Sequence, residues 1–476
     1  MTRPTPALVI AMTITAGLFG RCSLAEGQPK TVHLVATEVA LGRRPACMFH
    51  APSSPDGTRF ACPTRRGDKM VLIVDGVEGK QYDAIELEVF SSDSRRIAYV
   101  ASRGGKTLVV VDGVEGKGYD HLVKASLVFS PDSKRFAYQA KRGGKWVVVV
   151  NRVEGKPYDS IEPPQFSPDS KRVAYFAEQG GKEFAVVDGV EGKAYPMLWV
   201  GDIVFSPDSR RVAYHATKRV PYDPKRGELN GFVVVDGVEG KAYDEVWDGD
   251  IVFSPDSRRV AYDVERGGKN LVVMDGVEGK EYDWVGGLVF SPDSKRLAYN
   301  ASRVHDTMFA VVDGAQGKQY DSVKEWSLVF SPDSNRVAYS AVQSNKEFVV
   351  VDGLEGKGYH MVGGAIFSPN SERFAYVVFG QDYESVVVVD DVEGKCYYGF
   401  VNDPSFSPDS KHVAYCARHQ TPKGSEGQKW VVVVDGVESK EYDEFLTDPV
   451  WDGPDLLHAV ARRGDEILRV ELTLTE

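Results

Sequence analysis

The stretch LVFSPDSKRFAY, Leu127 to Tyr138, decides the fold, because close copies of it return roughly every forty residues to the end of the chain. It holds a short apolar run ending at Phe129, a Ser-Pro-Asp-Ser turn, and an alternating strand through Phe136 and Tyr138. Pro131 presets φ and Asp132 can accept nearby backbone N–H groups, so the chain reverses between two strands.

The turn aspartates are Asp56, Asp93, Asp132, Asp169, Asp208, Asp256, Asp293 and Asp333, then Asn370 and Asp409, spaced 37, 39, 37, 39, 48, 37, 40, 37 and 39 residues apart. An eroded copy follows, in which Trp451 to Ala459 keeps the step from Phe129 to Ala137, giving eleven units. Each unit reads as four strands. Strand A ends at the Phe of VFS and strand B is the RVAY segment. A GGK turn such as Gly143-Gly144-Lys145 leads to strand C, a run like Val147 to Val150 whose two faces are both apolar. A DGVEGK turn, for example Asp275 to Lys280, leads to a short strand D carrying Tyr282-Asp283. Repeated four-stranded antiparallel units without helices predict the blades of an all-β propeller.

The copies of FSPDSKRVAY followed by VVVDG resemble the Pro-Asp type of WD-like repeat found in TolB-like β-propellers of exported bacterial proteins. The resemblance covers nearly all of residues 31–476. It implies the fold and leaves the function open, because such propellers host many roles.

The ends of the chain fit closure. Unit eleven has strands B and C but lacks DGVEGK and strand D, and Thr31 to Ala36, TVHLVA, could supply the missing strand. Connector lengths from the strand D Tyr to the strand A aromatic run 8, 10, 8, 10, 10 from Tyr82, then 8, 10, 8, 9, 9 from Tyr282. Both fifth units carry an insertion, Thr217 to Asn230 and His419 to Lys429. This suggests an internal duplication, with units beginning near 49 and 251. One large ring and two rings of five plus six blades are both open.

Residues 1–25 read as a signal peptide. Arg3 precedes an apolar run from Ala7 to Phe19, and Ser23-Leu24-Ala25 offers the small residues a signal peptidase needs. The expectation is a periplasmic or secreted propeller spanning residues 26–476, with no transmembrane segment. The formal charge of −12 becomes −14 without that segment, which argues against a nucleic-acid partner. Four cysteines remain, and Cys47–Cys62 and Cys396–Cys416 are candidate disulfides.

A binding site requires residues that differ from unit to unit, and the D-to-A connectors and insertions vary where the SPDS and DGVEGK turns repeat. Four connectors carry Trp199, Trp247, Trp284 and Trp326, accompanied by Asp202, Asp248, Asp250 and Glu325. Exposed tryptophans suit a protein, peptide or glycan ligand, while the same rings could instead cap blade ends. The SPDS aspartates read as turn chemistry and the Glu-Lys pairs as solvated surface. No catalytic motif, cofactor or metal spacing is present in the sequence. The leading expectation is a non-enzymatic binding propeller. The alternatives are an enzyme, lyase or hydrolase-like, drawing on His121, His215, His305, His360 and His419 with nearby acids, and a purely structural module.

Overall fold

A computed structural model describes residues 33–43, 54–198, 203–217, 231–244, 246, 250–304, 307–381, 384–419 and 429–475. The signal segment, Thr31, Cys47, His305 and most of both insertions lie outside these residues. The described strands form eleven antiparallel sheets, and the one short helical element is a 3-10 turn at Lys124–Ser126. The chain is a β-propeller. In unit three, strand A is split into His121–Leu122 and Val128–Phe129, strand B is Phe136–Arg142, strand C is Lys145–Val150 and strand D starts at Val153–Glu154. The C-to-D reversal needs only two residues, and both take positive φ: Asn151 and Arg152 in this unit, at 48° and 68°, and Asp112 and Gly113 in unit two, at 52° and 76°.

Neighbouring sheets are cemented by side chains that recur in each unit. Tyr138, Phe136 and Ala140 face the preceding unit, while Val100 and Val109 of that unit face them. A strand B tyrosine meets the preceding strand D tyrosine edge to face, as in Tyr119–Tyr138 at 6.2 Å and Tyr158–Tyr175 at 6.3 Å. Tyr175, Tyr214 and Tyr262 serve in this interblade packing, each about 5% exposed.

The turns do more than reverse the chain. Ser130 Oγ donates to Asp132 Oδ1 at 2.7 Å and accepts from Arg135 N–H at 2.9 Å, while Asp132 N–H donates to Ser170 Oγ of the next unit at 2.8 Å. The same link passes from Asp56 to Ser94 and onward to the pair Asn370–Ser410. Arginine adds a second link. Arg96 donates to Asp112 of its own unit at 2.9 Å and to the Ser133 and Lys134 carbonyls of the next, with its guanidinium 5.3 Å from the Phe129 ring. Phe129 and Phe205 are half-buried, and an arginine of the preceding unit covers each ring.

The DGVEGK charges also differ from the solvated surface expected of them. Lys241 and Tyr243 both bond Glu278 of the following unit, the tyrosine at 3.0 Å. The same Lys–Glu pairing recurs at Lys156–Glu191, Lys318–Glu355 and Lys357–Glu393, whereas Lys280 meets a unit with Gln316 and bonds the Gly314 carbonyl. Tyr243 is pushed above the usual phenol range, first by burial and then by that carboxylate.

Closure follows the expected route. Residues His33–Arg43 form a strand antiparallel to Glu466–Thr475, from His33 opposite Thr475 to Arg43 opposite Glu466, and complete the unit eleven sheet. Glu38 takes the role of the missing DGVEGK glutamate. It accepts from Tyr442 at 2.8 Å and from Arg463 at 3.0 Å, and these bonds, the arginine's first, lower its pKa against the cost of burial. At the other side of unit eleven, a β-carbon built on Gly57 of unit one would fall 2.5 Å from Val460. The first and last sheets are thus in contact. The serine link also crosses from Asp208 to Ser257, where a five-plus-six division would fall. This path favours one wide ring over two.

Among the cysteines, Cys62 is disulfide-bonded, whereas the candidate pair Cys396–Cys416 forms no disulfide and the Cys416 thiol is raised by burial.

Candidate binding site on the inner edge

The D-to-A connectors are not rim loops. In unit three both halves of strand A pair with strand B, Leu122 opposite Ala140 and Val128 opposite Ala137, and the residues between them bulge out. In unit seven strand A runs from Trp284 to Phe290, with a register shift between Gly286 and Val289. The connectors are therefore the bulged middle of strand A, the edge along which neighbouring sheets meet. Lys124 pairs with Glu86 of the preceding unit at 2.5 Å, and Gly287 N–H donates to Asp250 of the preceding unit at 3.0 Å. Strand A and strand D lie at opposite edges of the sheets, and in a propeller the first strand is the inner one. The variation read as a property of a rim is a property of the inner edge.

Of the residues singled out in the sequence, Trp199, Asp202, Trp247 and Asp248 lie outside the described residues. Trp284, Trp326 and Asp250 come together around Gly286-Gly287. The half-buried Trp284 indole lies over Gly286, where a β-carbon would stand 2.7 Å from its Cζ2, so only glycine leaves the ring its place. Gly287 has φ of 65° and sits beside the Trp326 backbone nitrogen, 3.8 Å from where its own β-carbon would be. Trp326 is 72% exposed and holds φ of 62°, a left-handed conformation that a bulky side chain adopts only at a cost. Glu325 precedes it in the same bulge.

Beneath the indoles lies a polar seam. Asp250 accepts from the Gly287 and Leu288 N–H groups, yet burial outweighs these bonds and raises its pKa. Ile251 pairs with Tyr262, which puts Asp250 and Asp263 opposite one another one step further along. Asp263 is pushed up to about 7, by burial first and then by the Asp250 charge, and its Oδ1 is enclosed without a hydrogen-bond partner. Asn300 holds the equivalent place in unit seven and donates to the Lys324 carbonyl at 3.3 Å.

Asp263, Asn300 and the glycine pair went unnoticed in the sequence. The signal for the first two was present: the residue after the strand B Tyr falls on a buried phase, yet reads Gln139, His215, Asp263, Asn300 and Ser340 in five of the units. The histidines do not converge in the same way. His121 lies against Trp146 in unit three, His215 is buried in unit five, and His419 lies 3.5 Å from Glu438 in unit ten. Among the described residues no cluster of three or more His, Cys, Asp or Glu could hold a metal ion, and no helix is long and apolar enough to cross a membrane. The arrangement offers recognition chemistry: an exposed indole, a second indole on a glycine floor, and one carboxyl, Asp263, that changes charge near neutrality.

No family model and no curated protein matches the chain. Among solved structures, a eukaryotic initiation factor aligns over 83% of this chain and 98% of its own at 12% identity, with a TM-score of 0.38. TolB from Acinetobacter baumannii aligns over 62% of this chain and 78% of its own, at 13% identity and a TM-score of 0.25. A TolB from Agrobacterium tumefaciens aligns over 43% and 85%, at 16% and 0.22. Likenesses this low say nothing of what the chain does.

Proposed function

We propose that the protein is an exported, non-enzymatic propeller that captures a protein, peptide or glycan on the inner edge of units six to eight. The observation that carries this reading is Trp326. An indole held in strained left-handed backbone and left 72% exposed contributes little to the fold, and such strain gathers at binding sites. Trp284 and Asp250 beside it extend the surface, as the aromatic and polar parts of a recognition site do. Export accords with the N-terminal sequence and with the disulfide at Cys62, since disulfides persist in oxidising compartments.

The test is a screen of the full chain against peptide and glycan arrays, repeated with Trp326→Ala and Trp284→Ala. The expected result is one ligand class whose binding weakens by about 1–3 kcal/mol in both variants while unfolding is unchanged. A ligand bound equally by wild type and both variants would place the site elsewhere.

A further inference from the structure

At the junction of units four and five, three carboxylates converge with no cation of the described residues among them. Glu178 on strand B (Val173–Gln179) and Glu183 on strand C (Lys182–Val187) are directly opposite one another. With Glu162 of strand A they line a cavity of about 60 Å³, together with Phe176 and with Leu198 of unit five. Leu198 N–H donates to Glu183 Oε2 at 2.6 Å. Burial raises the Glu183 pKa; the Leu198 bond works against this, and the charges of Glu178 and Glu162 add to it. No Lys, Arg or His of the described residues pairs with any of the three.

The molecule carries a second copy of this framework with its ligand in place. At the junction of units eight and nine, Glu347 stands where Glu183 does, and Val362 N–H donates to its Oε2 at 2.7 Å. There the residue equivalent to Glu162 is Lys324, whose ammonium bonds Glu347 at 2.6 Å and the Val362 carbonyl at 2.7 Å. Val342 replaces Glu178 opposite Glu347. One junction is a closed ion pair. The other has the same cradle, two more carboxylates and, among the described residues, no cation paired with them.

We propose that the cavity at the unit four–five junction binds a primary alkylammonium, the head group of a lysine side chain or a polyamine. The sister junction shows that a carboxylate of this kind, fixed by the next unit's N–H, receives an ammonium with a backbone carbonyl as second acceptor. A space of about two water volumes takes the head group and a methylene or two, leaving the rest of the ligand outside. Phe176 gives the methylenes an aromatic wall. The site is separate from the indoles of units six to eight.

The experiment titrates the full chain with Nα-acetyl-lysine N-methylamide, with spermidine and with calcium chloride, following heat release. The expected result is saturable binding of at least one amine that weakens tenfold or more in Glu183→Gln and in Glu162→Lys. Glu162→Lys installs the sister junction's own ammonium, so it should also raise Tm, which shows that the variant folds. Tighter binding of the lysine amide assigns the site to a partner's lysine, and tighter binding of spermidine to a free polyamine. Amine binding unchanged in both variants, binding lost in Trp326→Ala, or a response to calcium alone would each overturn the proposal.

Discussion

The turn rim and the inner edge are built from the same repeat but obey opposite rules. On the rim, Ser, Asp, Ser and Arg recur in unit after unit: the first Ser and the Asp side chain close the turn, while the second Ser and the Arg join neighbouring sheets. Along strand A the middle residues change at each step: Glu86, Val123, Glu162, Gly286, Lys324 and Gly363 occupy equivalent places. A contact that must be made between every pair of sheets leaves no freedom to vary. A position facing an open axis has that freedom, and it is there that unpaired charge, strained backbone and exposed indole collect. Recurrence marks cohesion and singularity marks the site.

The sharpest way to break this contrast is to open the ring. Deleting residues 26–43 removes the fourth strand of unit eleven and with it Glu38, leaving Tyr442 and Arg463 without their acceptor and the Glu466–Thr475 edge unpaired. Cooperative thermal unfolding should be lost and aggregation should rise. Residues 26–249 and 250–476 produced separately give the companion test. With one ring neither half unfolds cooperatively, whereas a sharp transition of 26–249 on its own would establish the five-plus-six arrangement, since 250–476 lacks its closing strand in either case.

A smaller effect separates the two regions by pH. Asp169, Asp293, Asp333 and Asp409 on the rim are lowered to about 2, chiefly by their Ser hydroxyl bonds. Such groups add stability above the unfolded pKa near 4, and that stability is lost as pH falls toward 2. Asp263 has the opposite sign. Its folded pKa of about 7 exceeds the unfolded value, so the native state holds a proton that the unfolded chain has released, and stability declines from about pH 4 to pH 7. Asp263→Asn should abolish that decline, gaining about 1–3 kcal/mol at pH 8 and little at pH 4. Denaturant unfolding at several pH values checks it; equal slopes for variant and wild type would mean that Asp250 carries the proton instead.

How much of this was legible in the sequence follows the same division. The four strands, the Ser-Asp turns and the closing strand could be read because each is specified by local chemistry that recurs. Strand A was misread because its paired segments are two residues long, as at Leu122 and Phe129, and the polar residues between them look like a loop. The lysine–glutamate and arginine–phenylalanine links were hidden for another reason. Their partners lie 35 residues apart in Lys156–Glu191 and 33 apart in Arg96–Phe129, and within one unit each group looks solvated. Trp326 and Trp284 were visible as residues, but their meeting over Gly286-Gly287 depends on a register shift that no local signal announces.

On the rim, Ser170→Ala should cost about 1 kcal/mol, because it leaves the Asp132 N–H unpaired in a buried contact. Ser170 also has φ of 66°, so Ser170→Gly should cost less than Ser170→Ala although it removes the same hydroxyl. Unit one already carries glycine at this position, Gly57, at the junction where the serine link is absent. Chemical denaturation ranks the two variants. Equal losses would show that the hydroxyl alone matters.

The smallest expected change in stability belongs to the residue expected to matter most for binding. Trp326 makes its backbone conformation expensive and buries little, so Trp326→Gly removes a left-handed strain while giving up few contacts. Its unfolding midpoint should stay within a degree or two of wild type or rise slightly, whereas any ligand found for the inner edge should be lost by about 1–3 kcal/mol. A rim substitution such as Ser170→Ala should do the reverse, lowering stability with ligand affinity untouched. The two variants together turn the contrast between cohesion and recognition into a pair of measurements. If Trp326→Gly destabilises the protein by as much as Ser170→Ala while leaving affinity unchanged, the indole is a cap on the blade and the inner edge is another part of the scaffold.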